Sequence, residues 1–164
     1  MSGQEIAFVV LAVVGLGAAV RLVTSQNVVH AALYLVITLA VAGGVYLLLA
    51  AEFIAWVQIL IYVGAIVVLL LFSLMLTKAP IGREALDNQQ RGLAAAVAVL
   101  ILGGLIWLLR GAFSGEVIQP TRTQAADVGV SIFSKFVLPF EVVSVLLLAA
   151  LIGAVVIARK DDRP

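Results

Sequence analysis

Few side chains in this 164-residue sequence offer a proton, a lone pair or a charge inside otherwise apolar runs. Gln58 and Tyr62 stand four apart, a spacing that puts two side chains on one face of a helix. Glu52 precedes them and Gly64 follows them, and Glu141 comes shortly after Pro139 near the C-terminal end. Tyr34, Thr38, Tyr46, Ser73 and Ser144 are the other polar groups within apolar stretches. Hydroxyls and amides of this kind form hydrogen bonds and hold water, but most do not change charge near neutral pH. No Asp, Glu, Lys or Arg falls at the centre of an apolar run. A self-sufficient ion pump keeps an ionisable group there, because that group is the site at which the ion is handled.

Each polar residue has a structural reading beside a functional one. Glu52 and Glu141 open helices, where a carboxylate complements the helix dipole; the other reading is a proton relay or a contact with a partner. His30 is the only histidine and fits an interfacial structural role better than proton carriage, and Asn27 is placed to cap the helix that follows. Gln58 inside an apolar run points to protein rather than lipid, as an interhelical hydrogen bond or as part of a polar path. Gly64 suits close helix packing or a local backbone adjustment.

The elements that carry these residues are membrane spans. Hydrophobic residues make up 64% of the chain and charged ones 12%, where soluble domains carry about 25% charged. Charged residues bracket five apolar runs, giving approximate spans 5–23, 29–51, 53–77, 92–110 and 139–158. About 20 residues cross the hydrocarbon as a helix. Barrel strands would alternate apolar and polar residues, whereas "GAIVVLLLFSLML" is apolar on every face. The expected fold is therefore an all-α integral membrane protein with five transmembrane helices, forming a single membrane domain over 1–164. Residues 111–138 would be an external loop whose "VSIFSKFVLP" end lies along the interface or against a neighbour.

Basic residues set the orientation. Arg21, Lys78, Arg83, Arg91, Arg159, Lys160 and Arg163 fall on one side, and Arg110, Arg122 and Lys135 on the other. The first side should be cytoplasmic, giving N-out and C-in. The absence of cysteine rules out disulfides, iron–sulfur ligation and thiolate zinc sites in this chain. One histidine cannot supply paired haem ligands. The net charge of +1 and the lack of a Gly-rich phosphate loop speak against nucleic-acid and nucleotide binding.

The third run, "AEFIAWVQILIYVGAIVVLLLFSLML", closely resembles the third transmembrane helix of subunit J of bacterial NADH–quinone oxidoreductase, respiratory complex I, whose mitochondrial counterpart is subunit 6. "NVVHAALYLVITLAVAGGVYLLLAAEF" resembles that family's second helix, and "LPFEVVSVLLLAALIGAVVIARKD" its last helix and tail. The first and fourth runs agree in hydropathy alone. The Tyr-x-Gly-Ala element with its preceding Glu-Phe is the most specific part.

The resemblance implies a non-catalytic membrane-arm subunit in a bacterial inner membrane, beside subunits K, A, H and N. The assembly as a whole would carry FMN, iron–sulfur clusters and quinone, and this chain none of them. It implies a π-bulge at Tyr62, Val63 and Gly64, with the third helix switching between bulged and regular forms. Rotation would make or break a water path from the quinone-proximal channel to carboxylates of subunit K. Tyr62 would be the polar gate, Gly64 the flexible point, and the bulky residues beyond a dry plug.

The sequence also departs from the family. Val28 stands where members often have Pro, Gln58 where some carry an acid, and Phe136 where many have Tyr. Alternatives are the equivalent subunit of a ferredoxin-dependent, hydrogenase or antiporter complex, or an independent small transporter. The last predicts a mid-membrane charge or an inverted repeat, and the sequence has neither.

Overall fold

The computed structural model describes residues 2–77, 90–115 and 124–159. Every regular element among them is helical. The chain divides into two compact units, Met1–Arg122 and Thr123–Pro164.

In the first unit, α1 spans Gly3–Thr24, α2 spans Val28–Leu48, and α3 spans Glu52–Leu76. Helix α4 follows at Arg91–Phe113. Local chemistry fixes the starts of the first two. The Ser2 hydroxyl accepts from the Glu5 amide at 3.3 Å, and the Glu5 carboxylate accepts from the Ser2 amide at 2.9 Å, a reciprocal capping box. Asn27 caps α2, its Oδ1 accepting from the amides of Val29 at 2.9 Å and His30 at 3.3 Å. A proline is thus not needed to define this start.

Helix α2 ends earlier than the expected span 29–51. Ala50 takes a left-handed conformation, φ 57°, and reverses the chain. The Ala51 amide donates to the Tyr46 carbonyl and the Ala50 amide to the Leu47 carbonyl, both at 3.0 Å, which is a Schellman close. The chain then enters α3 at Glu52, so α2 and α3 form a tight antiparallel pair.

Small residues set the seams. A Cβ on Gly15 of α1 would lie 2.8 Å from Val41 Cγ1 of α2. A Cβ on Gly44 would lie 3.1 Å from Leu11 Cδ2 of α1, and one on Gly43 would lie 2.9 Å from Ile59 Cδ1 of α3. Two consecutive glycines therefore let α2 approach two different neighbours. Lipid tails are as apolar as leucine, so such van der Waals contact, rather than hydrophobic burial, joins helices in a bilayer. The buried core is correspondingly thin: Ala18, Ala32, Ala55, Val67 and Gln58 are almost fully covered, along with Gly43. Helix α4 packs on none of the first three helices and exposes apolar side chains all round, Trp107 among them.

The second unit holds α5, Ala125–Ser134, and α6, Val137–Ala158. Part of the expected loop 111–138 is therefore helical, with α5 opened by the Gln124 amide donating to Asp127 at 3.1 Å. Phe133 of α5 meets Phe140 of α6 edge-on, with ring centroids 5.3 Å apart, and the Lys135 ammonium lies 5.7 Å from the Phe136 ring centroid. Pro139 sits in the first turn of α6, where its missing N–H costs no helix bond. Among the described residues, five helices, α1 to α4 and α6, are long and apolar enough to cross a membrane. Much of the charge bias, Lys78, Arg83, Arg122, Lys160 and Arg163, lies outside the described residues.

Candidate functional site

Helix α3 changes winding within its length. Glu52–Val57 is α-helical, Gln58–Ile66 is a π-helix, and Val67–Leu76 is α-helical again. At the exit, the Val67 amide donates to the Tyr62 carbonyl five residues back. A π segment accommodates an extra residue within a helix, and such segments concentrate at functional sites.

Gln58 stands at the entry. It is 8% exposed, and its Nε2 donates to the Leu39 carbonyl of α2 at 3.3 Å. The approach depends on Gly43: a Cβ there would touch Gln58 Cγ at 3.7 Å and press on Ile59. The interhelical hydrogen bond read for Gln58 is thus present, with a main-chain oxygen as its partner.

Tyr62 lies on the π segment and is 46% exposed. Its hydroxyl makes no hydrogen bond among the described residues. Val63 is half-buried and Gly64 exposed. A Cβ on Gly64 would sit 3.4 Å from the Ile59 carbonyl, an ordinary contact. Among the described residues, no second helix comes within 4 Å of that Cβ. Val67 is 2% exposed and closes the segment below.

The two carboxylates differ in placement. Glu52 is exposed in the first turn of α3, where its charge complements the helix dipole. Glu141 is also exposed, but α6 begins at Val137, so Glu141 lies beyond the first turn. A dipole role weakens with that distance, which corrects the reading of Glu141 as the residue that opens this helix. The Ser144 hydroxyl donates to the Glu141 main-chain oxygen at 2.8 Å and leaves the carboxylate free of it.

His30 borders an open concavity of about 340 Å³ at the α1–α2 turn, with Arg21, Thr24, Ser25, Gln26, Asn27 and Tyr34. Among the described residues, no three His, Cys, Asp or Glu side chains gather to hold a metal ion. The structure thus brings Gln58, Tyr62, Val63 and Gly64 onto one specialised segment and sets Glu52 at the start of the same helix. Sequence reading missed the Leu39 carbonyl, because a main-chain acceptor has no residue signature. It also missed Ala50, which takes a conformation usually given to glycine.

Residues 18–157 match the profile of a family described as NADH-ubiquinone/plastoquinone oxidoreductase chain 6. The chain is 37% identical to a NAD(P)H-quinone oxidoreductase chain 6 from Leptolyngbya boryana over 98% of its own length and 82% of that protein. It is 34% identical to a NADH-quinone oxidoreductase subunit J from Pseudomonas aeruginosa, covering 98% of this chain and 99% of the other. It is 39% identical to an F(420)H(2) dehydrogenase subunit J from Methanosarcina mazei, covering 94% and 90% respectively.

Proposed function

The chain belongs to the NADH-ubiquinone/plastoquinone oxidoreductase chain 6 family, and on that premise we propose that it is a non-catalytic membrane-arm subunit that couples quinone reduction to proton translocation through a switchable α3. The π segment at Gln58–Ile66 is the observation that carries this reading. A helix that holds an extra residue has a second, regular form within reach. Its entry is pinned by Gln58, while Tyr62 beyond it is half-exposed with its hydroxyl unclaimed among the described residues. Such a tyrosine is available to join or leave a chain of waters as the helix turns.

The gate is Tyr62, Val63 and Gly64. Neighbouring subunits supply the carboxylates that hold protons, with subunit K the foremost partner and A, H and N the others expected. The lack of cysteine leaves the iron–sulfur clusters to other subunits, and FMN and quinone belong there too. Glu52 and Glu141 are exposed and suit contacts with those neighbours. The chain lies N-out and C-in in a bacterial inner membrane. The apolar faces of α4 and α6 are consistent with lipid and with subunits packed against them.

The test is Tyr62→Phe in the intact complex in sealed vesicles. It should lower the rate of coupled proton pumping by roughly two- to ten-fold, the weight of one hydrogen bond. Assembly and donor oxidation with an artificial acceptor should be unchanged. Normal pumping in that variant sinks the gate.

A second reading is favoured by the archaeal relative, whose named dehydrogenase uses a different electron donor. The same membrane subunit would then serve an assembly with another input module. The flavin-containing subunits that co-purify in mild detergent separate the two readings.

A further inference from the structure

The turn between α1 and α2 gathers polar side chains that the fold itself does not use. Arg21, Gln26, His30 and Tyr34 border the open concavity of about 340 Å³ there, roughly ten water volumes. None of these four side chains makes a hydrogen bond or an ion pair among the described residues. Their neighbours are committed. The Thr24 hydroxyl donates to the Val20 carbonyl at 2.7 Å, and the Ser25 hydroxyl to the Asn27 carbonyl at 3.0 Å. Asn27 Oδ1 accepts from the amides of Val29 and His30. Thr24, Ser25 and Asn27 thus close the turn, and the other four are surplus to it.

What remains is mainly a set of donors. Arg21 presents a planar fork of N–H groups, Tyr34 an O–H, His30 a ring N–H and Gln26 an amide. No described carboxylate balances them. In this unit the described carboxylates are Glu5, in the first turn of α1, and Glu52, beyond the end of α2. Arg21 is in the last turn of α1 and His30 in the first turn of α2, so both acids belong to the opposite end of the helix pair. At 1.5 Å of rise per residue, Glu5 is about 24 Å from Arg21. The concavity therefore calls for an anion.

Its depth selects among anions. Both helices are long and apolar enough to span a bilayer, and the concavity lies where one ends and the next begins. Toward the bilayer the same helices expose Leu16, Val20, Leu33 and Ile37. An arginine at the end of a span reaches its guanidinium to the headgroup layer, and a tyrosine near a span end sits at that interface. Basic pockets between membrane helices on the cytoplasmic side take anionic lipid headgroups. We propose that this concavity binds the phosphodiester of an anionic phospholipid, held by Arg21 with His30 and Tyr34 as further donors. The two charged oxygens of a phosphodiester match the guanidinium fork. Free phosphate meets the same donors, but has no chains to lay along the exposed apolar faces. With the N-out orientation the lipid belongs to the cytoplasmic leaflet. The site is independent of the winding of α3.

Photolabelling of the intact complex in vesicles tests the site. The probes are phosphatidylglycerol and phosphatidylcholine, each with the same diazirine near the carboxyl end of one acyl chain. Adducts on residues 16–37 are read by peptide mass spectrometry. Phosphatidylglycerol should label this segment several-fold more than phosphatidylcholine. Unlabelled phosphatidylglycerol should compete, and inorganic phosphate at the same concentration should not. Arg21→Gln should lower the adduct several-fold, and Arg21→Lys by less, because an ammonium keeps the charge and loses the fork. If Arg21→Gln does not assemble, Tyr34→Phe carries the comparison: it removes one hydroxyl, keeps the ring and should lower the adduct by a smaller factor. Equal labelling by the two lipids, or an undiminished adduct in these variants, overturns the site. So does a segment that takes no label from either lipid, since a neighbouring subunit then covers it. Competition by inorganic phosphate overturns the assignment to a lipid. None of these outcomes bears on pumping by Tyr62→Phe.

Discussion

Gln58 of α3 donates from Nε2 to the main-chain oxygen of Leu39 on α2 at 3.3 Å, beside the glycine that lets the two helices meet. The bond joins the last α-helical turn of Glu52–Val57 to its neighbour at the point where π winding begins. Gln58→Leu keeps the volume and removes the bond. It should weaken the α2–α3 pair by about 0.5–1.5 kcal/mol. Thermal unfolding of the purified complex in mild detergent measures this, and an unchanged midpoint would count against the bond.

Gly64→Ala should assemble as the parent does and, as a change within the gate, lower proton pumping. The added Cβ meets only the Ile59 carbonyl at 3.4 Å. Vesicle pumping assays and native gels check this outcome. A loss of assembly would mean that position 64 passes through a tighter state than the one described.

Ala50→Gly should stabilise the α2–α3 turn. A side chain in the left-handed region costs roughly 1–2 kcal/mol, and part of that is offset by the greater freedom of glycine in the unfolded chain. A net gain of about 0.5–1 kcal/mol is expected. Ala50→Val should destabilise instead, because β-branched residues fit this region worst. Resistance of the 49–51 turn to proteolysis orders the two variants and the parent.

Gly43→Val should separate α2 from α3. A Cβ already falls 2.9 Å from Ile59 Cδ1 and 3.2 Å from its Cγ1, so the seam must open, at a cost of about 1–3 kcal/mol. Gly17→Ala is the control: nothing lies within 4 Å of a Cβ there, and assembly should be unchanged. Yield of assembled complex reads both.

Five spans were legible because charges bracket apolar runs of the right length, and lipid leaves the helix as the only way to satisfy such a backbone. Asn27 as a cap was legible because its chemistry is local. The end of α2 was not, since Ala50 carries no turn signal and the run "LLLAAEF" continues apolar through it. Helix α5 was hidden inside a stretch read by its polarity, although Asp127 three residues after Gln124 is a helix-start pattern. Within α3, residues alone left Gly64 between packing and backbone adjustment. From Val63 to Phe72 every side chain other than Gly64 is apolar, so no contrast marks a phase shift of one residue.

Gly43 and Gly44 are adjacent in the chain, yet they serve α3 and α1 respectively. The genetics of α2 is therefore partitioned codon by codon. Revertants of a bulky change at Gly43 should map to Ile59, and those of a change at Gly44 to Leu11, with no cross-suppression between the two classes. Two neighbouring codons thus answer to different compensating partners.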